Sequence, residues 1–228
     1  MSIAVPIADL RRTPEHLPQN FSHDDRRETQ LLFGEHVEII EQKNEWLYVY
    51  AIEQDYHGWI HASEYTDRVI KATHVVCSEH KRFLFGTYLD KPIGRPIPRK
   101  ASREQIVADA LHFLNRPYLW GGRGHNVDCS GLINLVYRAQ GMQIPRDSGP
   151  QCAFAKKTQK LLPADLIYLG EPVTHVIMKV DDKRFIEAPE TGKCVRLLTW
   201  GKDIWEEEGL LCYRDREKKY KQHYRTLL

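Results

Sequence analysis

Two residues of this 228-residue chain, Cys129 and His175, have neighbours that suit them to acyl-transfer chemistry. Cys129 follows the glycine-rich stretch GGRGHNVD and opens an apolar-periodic run, Leu132, Ile133, Leu135, Val136 and Tyr137, which places it in the first turn of a helix. Unpaired N–H groups and a partial positive charge there favour thiolate over thiol. His175 sits between Val173, Thr174 and Val176, Ile177, Met178, a pattern expected of a strand, where packing fixes the ring. A thiol and a strand-borne base far apart in sequence suit an intracellular cysteine hydrolase. On spacing alone, most such pairs never meet.

Four stretches resemble the NlpC family of papain-like cysteine peptidases, which cut bacterial cell-wall peptides. They are PYLWGG before the cysteine, DCSGL around it, PADLIYL at 163–169, and THVIMKVDDKRFIEA from the histidine onward. The resemblance implies an α+β papain-like domain, helices packed on an antiparallel sheet, with Cys129 as nucleophile and His175 as base. The family's third polar residue lies twelve positions beyond the histidine and is most often another histidine; here it is Glu187. A carboxylate accepts the imidazole hydrogen bond and stabilises imidazolium more strongly than a neutral ring. The other reading of Glu187 is a surface residue on an edge strand.

Asp128 and Ser130 match positions that, in relatives acting on free stem peptides, bind the α-amine of an N-terminal L-Ala together with a tyrosine from a neighbouring barrel. Tyr56, in QDYHGW, is the candidate for that tyrosine, with Tyr65 as the fallback. Ser148 and Gln151, in IPRDSGPQ, border the groove by the same resemblance or serve ordinary turn and cap chemistry. Tyr118 is a candidate second oxyanion donor beside the Cys129 N–H. The implied reaction hydrolyses the γ-D-Glu bond to diaminopimelate or lysine in short peptidoglycan stem peptides with a free N-terminal L-Ala, without metal or organic cofactor. The alternatives are hydrolysis of intact murein and a catalytically silent wall-binding scaffold. Arg123 and His125, before the cysteine, are read as solvent-exposed, with a substrate carboxylate as the alternative partner.

The remaining elements must position these residues. Residues 1–68 alternate as an all-β unit: Val37 and Ile39, then Trp46, Tyr48 and Tyr50, around the polar turn at 42–45. The order GEHVEII, NEWLYVY, YHGWIHASEY resembles the bacterial SH3 domain, with Trp46 and Trp59 expected in its core. Residues 69–100, with Pro92, Gly94, Pro96 and Pro98, read as a linker to a catalytic domain at 101–228. That domain opens with a helix from Arg103 to Leu114 capped by Ser102, and turns to strands after 163. The basic tail, Arg214 to Arg225, is read as a solvated helix or frayed end.

A chain with 42% apolar residues supports a real core, and 33 basic against 31 acidic side chains give no pull towards nucleic acid or a membrane surface. Five cysteines without metal spacing argue against a disulfide framework and for a reducing compartment. Those at 77, 152, 194 and 212 are expected to be buried. The start, MSIAVPIADLRR, lacks a basic n-region, so a cytoplasmic protein is expected; its partners are expected to be wall-derived peptides, and a monomer is favoured with the oligomeric state left open.

Overall fold

The computed structural model describes residues 1–15, 24–78 and 80–228. The N-terminal unit is a five-stranded antiparallel sheet of β1 (Ile7–Arg11), β2 (Arg27–Leu32), β3 (Val37–Lys43), β4 (Trp46–Ala51) and β5 (Tyr56–His61), in the order β2-β1-β5-β4-β3. The turn from β3 to β4 is two residues long, with Asn44 in the left-handed region at φ 53°. Ile3, Leu10, Leu31, Leu47, Val49 and Ile60 fill the interior. Neither tryptophan belongs to that cluster. Trp46 is buried with the Arg11 guanidinium 5.5 Å from its ring, and Trp59 lies half-buried against Tyr48. Aliphatic residues suffice for so small an interior.

The stretch read as a linker is a packed strap. Two-residue strands at His74–Val75, Tyr88–Leu89 and Arg95–Pro96 form a small sheet, and Val75, Leu84 and Phe85 enter the core shared by the helices that follow. Its prolines and glycines mark turns between apolar anchors. Arg95 fastens it further, bonding Asp109 and the Ala139 carbonyl.

The helices are α1 (Arg103–Leu111), α2 (Cys129–Arg138) and α3 (Ser148–Phe154). They cover a six-stranded antiparallel sheet of β6 (Lys156–Lys157), β7 (Leu166–Leu169), β8 (His175–Lys179), β9 (Arg184–Glu187), β10 (Arg196–Thr199) and β14 (Gln222–Thr226), ordered β6-β14-β7-β8-β9-β10. Between β10 and β14, a three-stranded sheet of β11 (Ile204–Glu207), β12 (Leu210–Tyr213) and β13 (Arg216–Tyr220) packs on the opposite face. The two-residue period explains the unbroken apolar run of β7: Leu166 and Tyr168 join the core on the helix side, while Ile167 and Leu169 face the β11–β13 layer. The tail is therefore neither helical nor frayed. β14 lies inside the main sheet between β6 and β7, its basic residues masking strand alternation. No helix among the described residues is long and apolar enough to cross a membrane.

Candidate active site

Cys129 opens α2 because Asp128, in an extended conformation, caps it: Asp128 Oδ1 accepts the Gly131 N–H at 2.6 Å. A β-carbon at position 131 would lie 2.2 Å from the Gly122 carbonyl oxygen, so DCSG needs its glycine. His175 begins β8, and Glu187 ends the adjacent β9. His175 Nε2 lies 2.7 Å from Glu187 Oε2, which leaves the other ring nitrogen free of that carboxylate and available to the Cys129 side chain, whose influence on His175 is electrostatic. The fold thus brings together three residues from two ends of the domain.

Their electrostatics reinforce one another. Burial alone would disfavour the His175 imidazolium, but hydrogen bonds and charge from Cys129 and Glu187 overcome it and raise the pKa to about 9. Burial likewise opposes the Glu187 carboxylate, yet His175, Arg216 and Arg196 hold it at about 2. This arrangement can maintain a thiolate beside an imidazolium. Among the described residues no cluster suited to a metal ion is present.

A pocket of about 290 Å³ surrounds Cys129, lined by Tyr118, Trp120, Asp128, Ser130, Ser148 and Thr174 from the catalytic domain and by Arg12, Glu28 and Tyr56 from the barrel. Tyr56 begins β5 and its hydroxyl donates to the Asp147 carboxylate across the cleft. Tyr65 instead pairs with Ile3 and packs on the barrel interior. Asp128 is engaged elsewhere: besides capping α2, it takes Arg146 at 2.6 and 3.0 Å, and Arg146 also donates to Ser130 Oγ at 2.9 Å. The acids at the barrel end of the pocket are Asp147 and Glu28, the latter 2.8 Å from Arg12. Sequence reading passed over both, although Asp147 stands beside Ser148 in the loop it had singled out.

Other placements differ from expectation. Gln151 is fully buried and brackets the Ser130, Pro145 and Arg146 carbonyls, which is structural work. Arg123 is also fully buried, donating to Glu35 in the barrel at 2.9 and 3.0 Å, whereas His125 is exposed as expected. Cys152 and Cys212 are buried, Cys77 is half-buried and Cys194 is exposed. Beside Tyr118, burial together with the Cys129 and Asp128 charges pushes the phenol well above its ordinary value, so it stays a protonated donor. A second pocket of equal volume is lined by Ser78, His80, Phe83, Phe85, His112 and His125.

Known proteins share this architecture. Residues 115–214 match the NlpC/P60 family, and residues 19–64 match the bacterial dipeptidyl-peptidase SH3 domain. The chain is 27% identical to the gamma-D-glutamyl-L-lysine dipeptidyl-peptidase of Bacillus subtilis over 79% of this chain and 78% of that protein. It is 26% identical to the protein of the same name from Bacillus cereus, over 75% and 70% respectively. The fold superposes on an NlpC/P60 family protein from Bacillus cereus with a TM-score of 0.71 and 22% identity, covering 87% of this chain and 93% of that one. With a helix-borne thiol and a strand-borne imidazole at its active site, the chain carries an NlpC/P60 cysteine peptidase domain and, before it, a bacterial dipeptidyl-peptidase SH3 domain.

Proposed function

We propose that the protein hydrolyses the γ-D-glutamyl bond to a diamino acid in short cell-wall peptides that begin with a free L-Ala, as a cytoplasmic step in recycling them. The observation that carries this reading is the barrel's Tyr56, bonded to Asp147 at the end of the pocket that holds Cys129. A tyrosine and an acidic side chain there offer an ammonium group its partners, and the barrel wall leaves little room for a longer chain. Asp147 supplies the negative charge, since Asp128 is neutralised by Arg146 at 2.6 Å and Glu28 by Arg12 at 2.8 Å, whereas Arg146 comes no nearer to Asp147 than 3.9 Å.

In this reading the Cys129 thiolate adds to the amide carbonyl, and the oxyanion is held by the Cys129 N–H and the Tyr118 hydroxyl. His175 then gives its proton to the leaving amine of the diamino acid, and afterwards takes one from the water that cleaves the thioester. Glu187 orients the ring throughout. Ser130 and Ser148 stand on the pocket wall where they can meet the peptide.

The test compares L-Ala-γ-D-Glu-diaminopimelate with the same peptide acetylated on Ala. Mass spectrometry should show the free peptide cleaved about a hundredfold faster, the effect of removing one charged partner from a desolvated site. In Asp147→Asn that preference should shrink markedly. Equal cleavage of both peptides by the unaltered protein would exclude the amine-recognition reading.

A pH dependence follows as well. The active form carries a proton on His175, whose raised pKa keeps it protonated well above neutrality. The steady-state kcat/KM is therefore expected to fall as pH rises through about 9. Glu187→Gln removes the neighbouring negative charge and should move that limb to lower pH. An unmoved limb would show that Glu187 does not act on the ring.

A further inference from the structure

The carboxylate that faces His175 is sealed from water and held by more than the imidazole. Glu187 Oε2 takes His175 Nε2 at 2.7 Å and the Tyr213 hydroxyl at 3.1 Å, while Oε1 takes Arg196 at 2.7 Å and Arg216 at 3.5 Å. Arg196 is the direct cross-strand partner of Glu187, on β10, and its other end lies 2.6 Å from Asp215 in the turn between β12 and β13. Arg216 opens β13 and lies over the Tyr213 ring at 4.3 Å. A strand and a hairpin thus converge on one buried anion.

We propose that Arg196 and Arg216, steadied by Tyr213, are positioning residues that clamp Glu187 and allow a charged group to serve as the partner of His175. The proposal rests on the hydrolase reading above. An uncompensated buried carboxylate would hold the imidazolium proton too tightly for transfer to a leaving amine, and would oppose ionisation of Cys129. Two guanidiniums offset that excess, and their fork geometry fixes which oxygen remains for the imidazole. The other charged groups around the pair are accounted for. Asp128 is paired with Arg146; Lys193, bonded to Glu190 and Asp215, stands behind Arg196, and Glu190 and Tyr220 lie within electrostatic reach of Arg216; Tyr118 faces Cys129 from the preceding loop and Tyr168 from β7.

Removing cations raises the pKa of every neighbouring acid, thiol and imidazolium alike. The test is the rate of Cys129 alkylation by iodoacetamide against pH, read by peptide mass spectrometry in a Cys194→Ser background, because Cys194 is exposed. This readout needs no substrate. Replacing both Arg196 and Arg216 by Gln should displace the alkylation profile to higher pH, slow alkylation about tenfold at neutral pH, and lower kcat with KM unchanged. In a Glu187→Gln background only the direct effect of the two cations on the thiol remains, so the same two changes should slow alkylation by clearly less than in the unaltered protein. Equal slowing in both backgrounds would overturn the clamp, as would an unmoved limb accompanied by a lowered Tm. Should the double variant fail to fold, Arg196→Gln is compared with Arg196→Lys, and lysine must restore part of the limb position. No difference between them overturns the proposal. An unaltered Cys129 no more reactive than an ordinary thiol at any pH would sink the hydrolase reading and the clamp with it; a reactive Cys129 with unmoved limbs sinks the clamp alone.

Discussion

Cys129→Ala is expected to lower kcat/KM on L-Ala-γ-D-Glu-diaminopimelate by about 10⁵-fold or more, to near the background left by binding and the oxyanion donors alone. The size follows from the role: without the thiol no thioester forms, and His175 and Glu187 have no proton to move. The four other cysteines offer no substitute, since none lies at the start of α2 facing His175. The fold should survive. Cys129 lies at the helix terminus, and the Asp128 cap, the Gly131 contact and the Arg146 bonds do not pass through its sulfur. Circular dichroism and Tm should therefore stay close to the unaltered protein, and calorimetry should show the free-amine peptide still bound. Residual turnover within a hundredfold of the original would mean another group delivers the nucleophile.

Much of this site was legible because its signals are local. Cys129 was marked by a glycine-rich turn running into a helical pattern, and His175 by β-branched neighbours. Glu187 followed from the family resemblance alone, which puts the third polar residue twelve positions beyond the histidine; the β8–β9 hairpin is the physical reason that offset is fixed. The strap at 69–100 was misread because Pro and Gly report turns, not whether the apolar residues between them find a core. Half of the clamp, Arg216, was hidden in a basic tail. A run such as Arg214 to Arg225 looks solvated until strand pairing aims one guanidinium inward, as it does for Arg216. Arg123 was misjudged for a related reason: its partner, Glu35, lies 88 residues away on another unit, and no pattern around either residue announces the pair. Asp128 shows the converse, a residue whose position was right and whose carboxylate is used up by capping and by Arg146.

Glu35→Ala is expected to be among the most damaging changes outside the catalytic centre, costing about 3–5 kcal/mol of stability. Glu35 is 1% exposed and Arg123 is fully buried. The carboxylate also accepts the Leu32 N–H at 2.9 Å and the Gln54 amide at 3.1 Å, with Arg138 at 3.5 Å. Its loss leaves Arg123 with only the Gln30 carbonyl and Asn134 Oδ1, at 2.9 Å each, to balance a charge that water cannot reach. The cost therefore comes mostly from the stranded cation. Replacing Arg123 by Met together with Glu35→Gln should recover a substantial part of the loss, whereas a surface pair would show near-additive effects below about 1 kcal/mol. Burial opposes the Glu35 carboxylate, but Arg123 and Arg138 hold its pKa below the unfolded value of 4.5. Its stabilisation is thus complete above that pH and is lost as pH falls through the lower folded value. Thermal melts between pH 7 and pH 3 should show the Glu35→Ala penalty shrinking on the acid side. Activity should fall with stability, because Arg123 holds the loop that delivers Cys129: its N–H donates to Gln30 Oε1 at 3.0 Å and its side chain reaches α2 through Asn134. The barrel thus supplies Tyr56 to the pocket and, through Glu35, the anchor for the turn that aims the nucleophile. A Glu35→Ala protein that melts within about 2 °C of the original, where roughly 10 °C is expected, would show the two units are joined some other way.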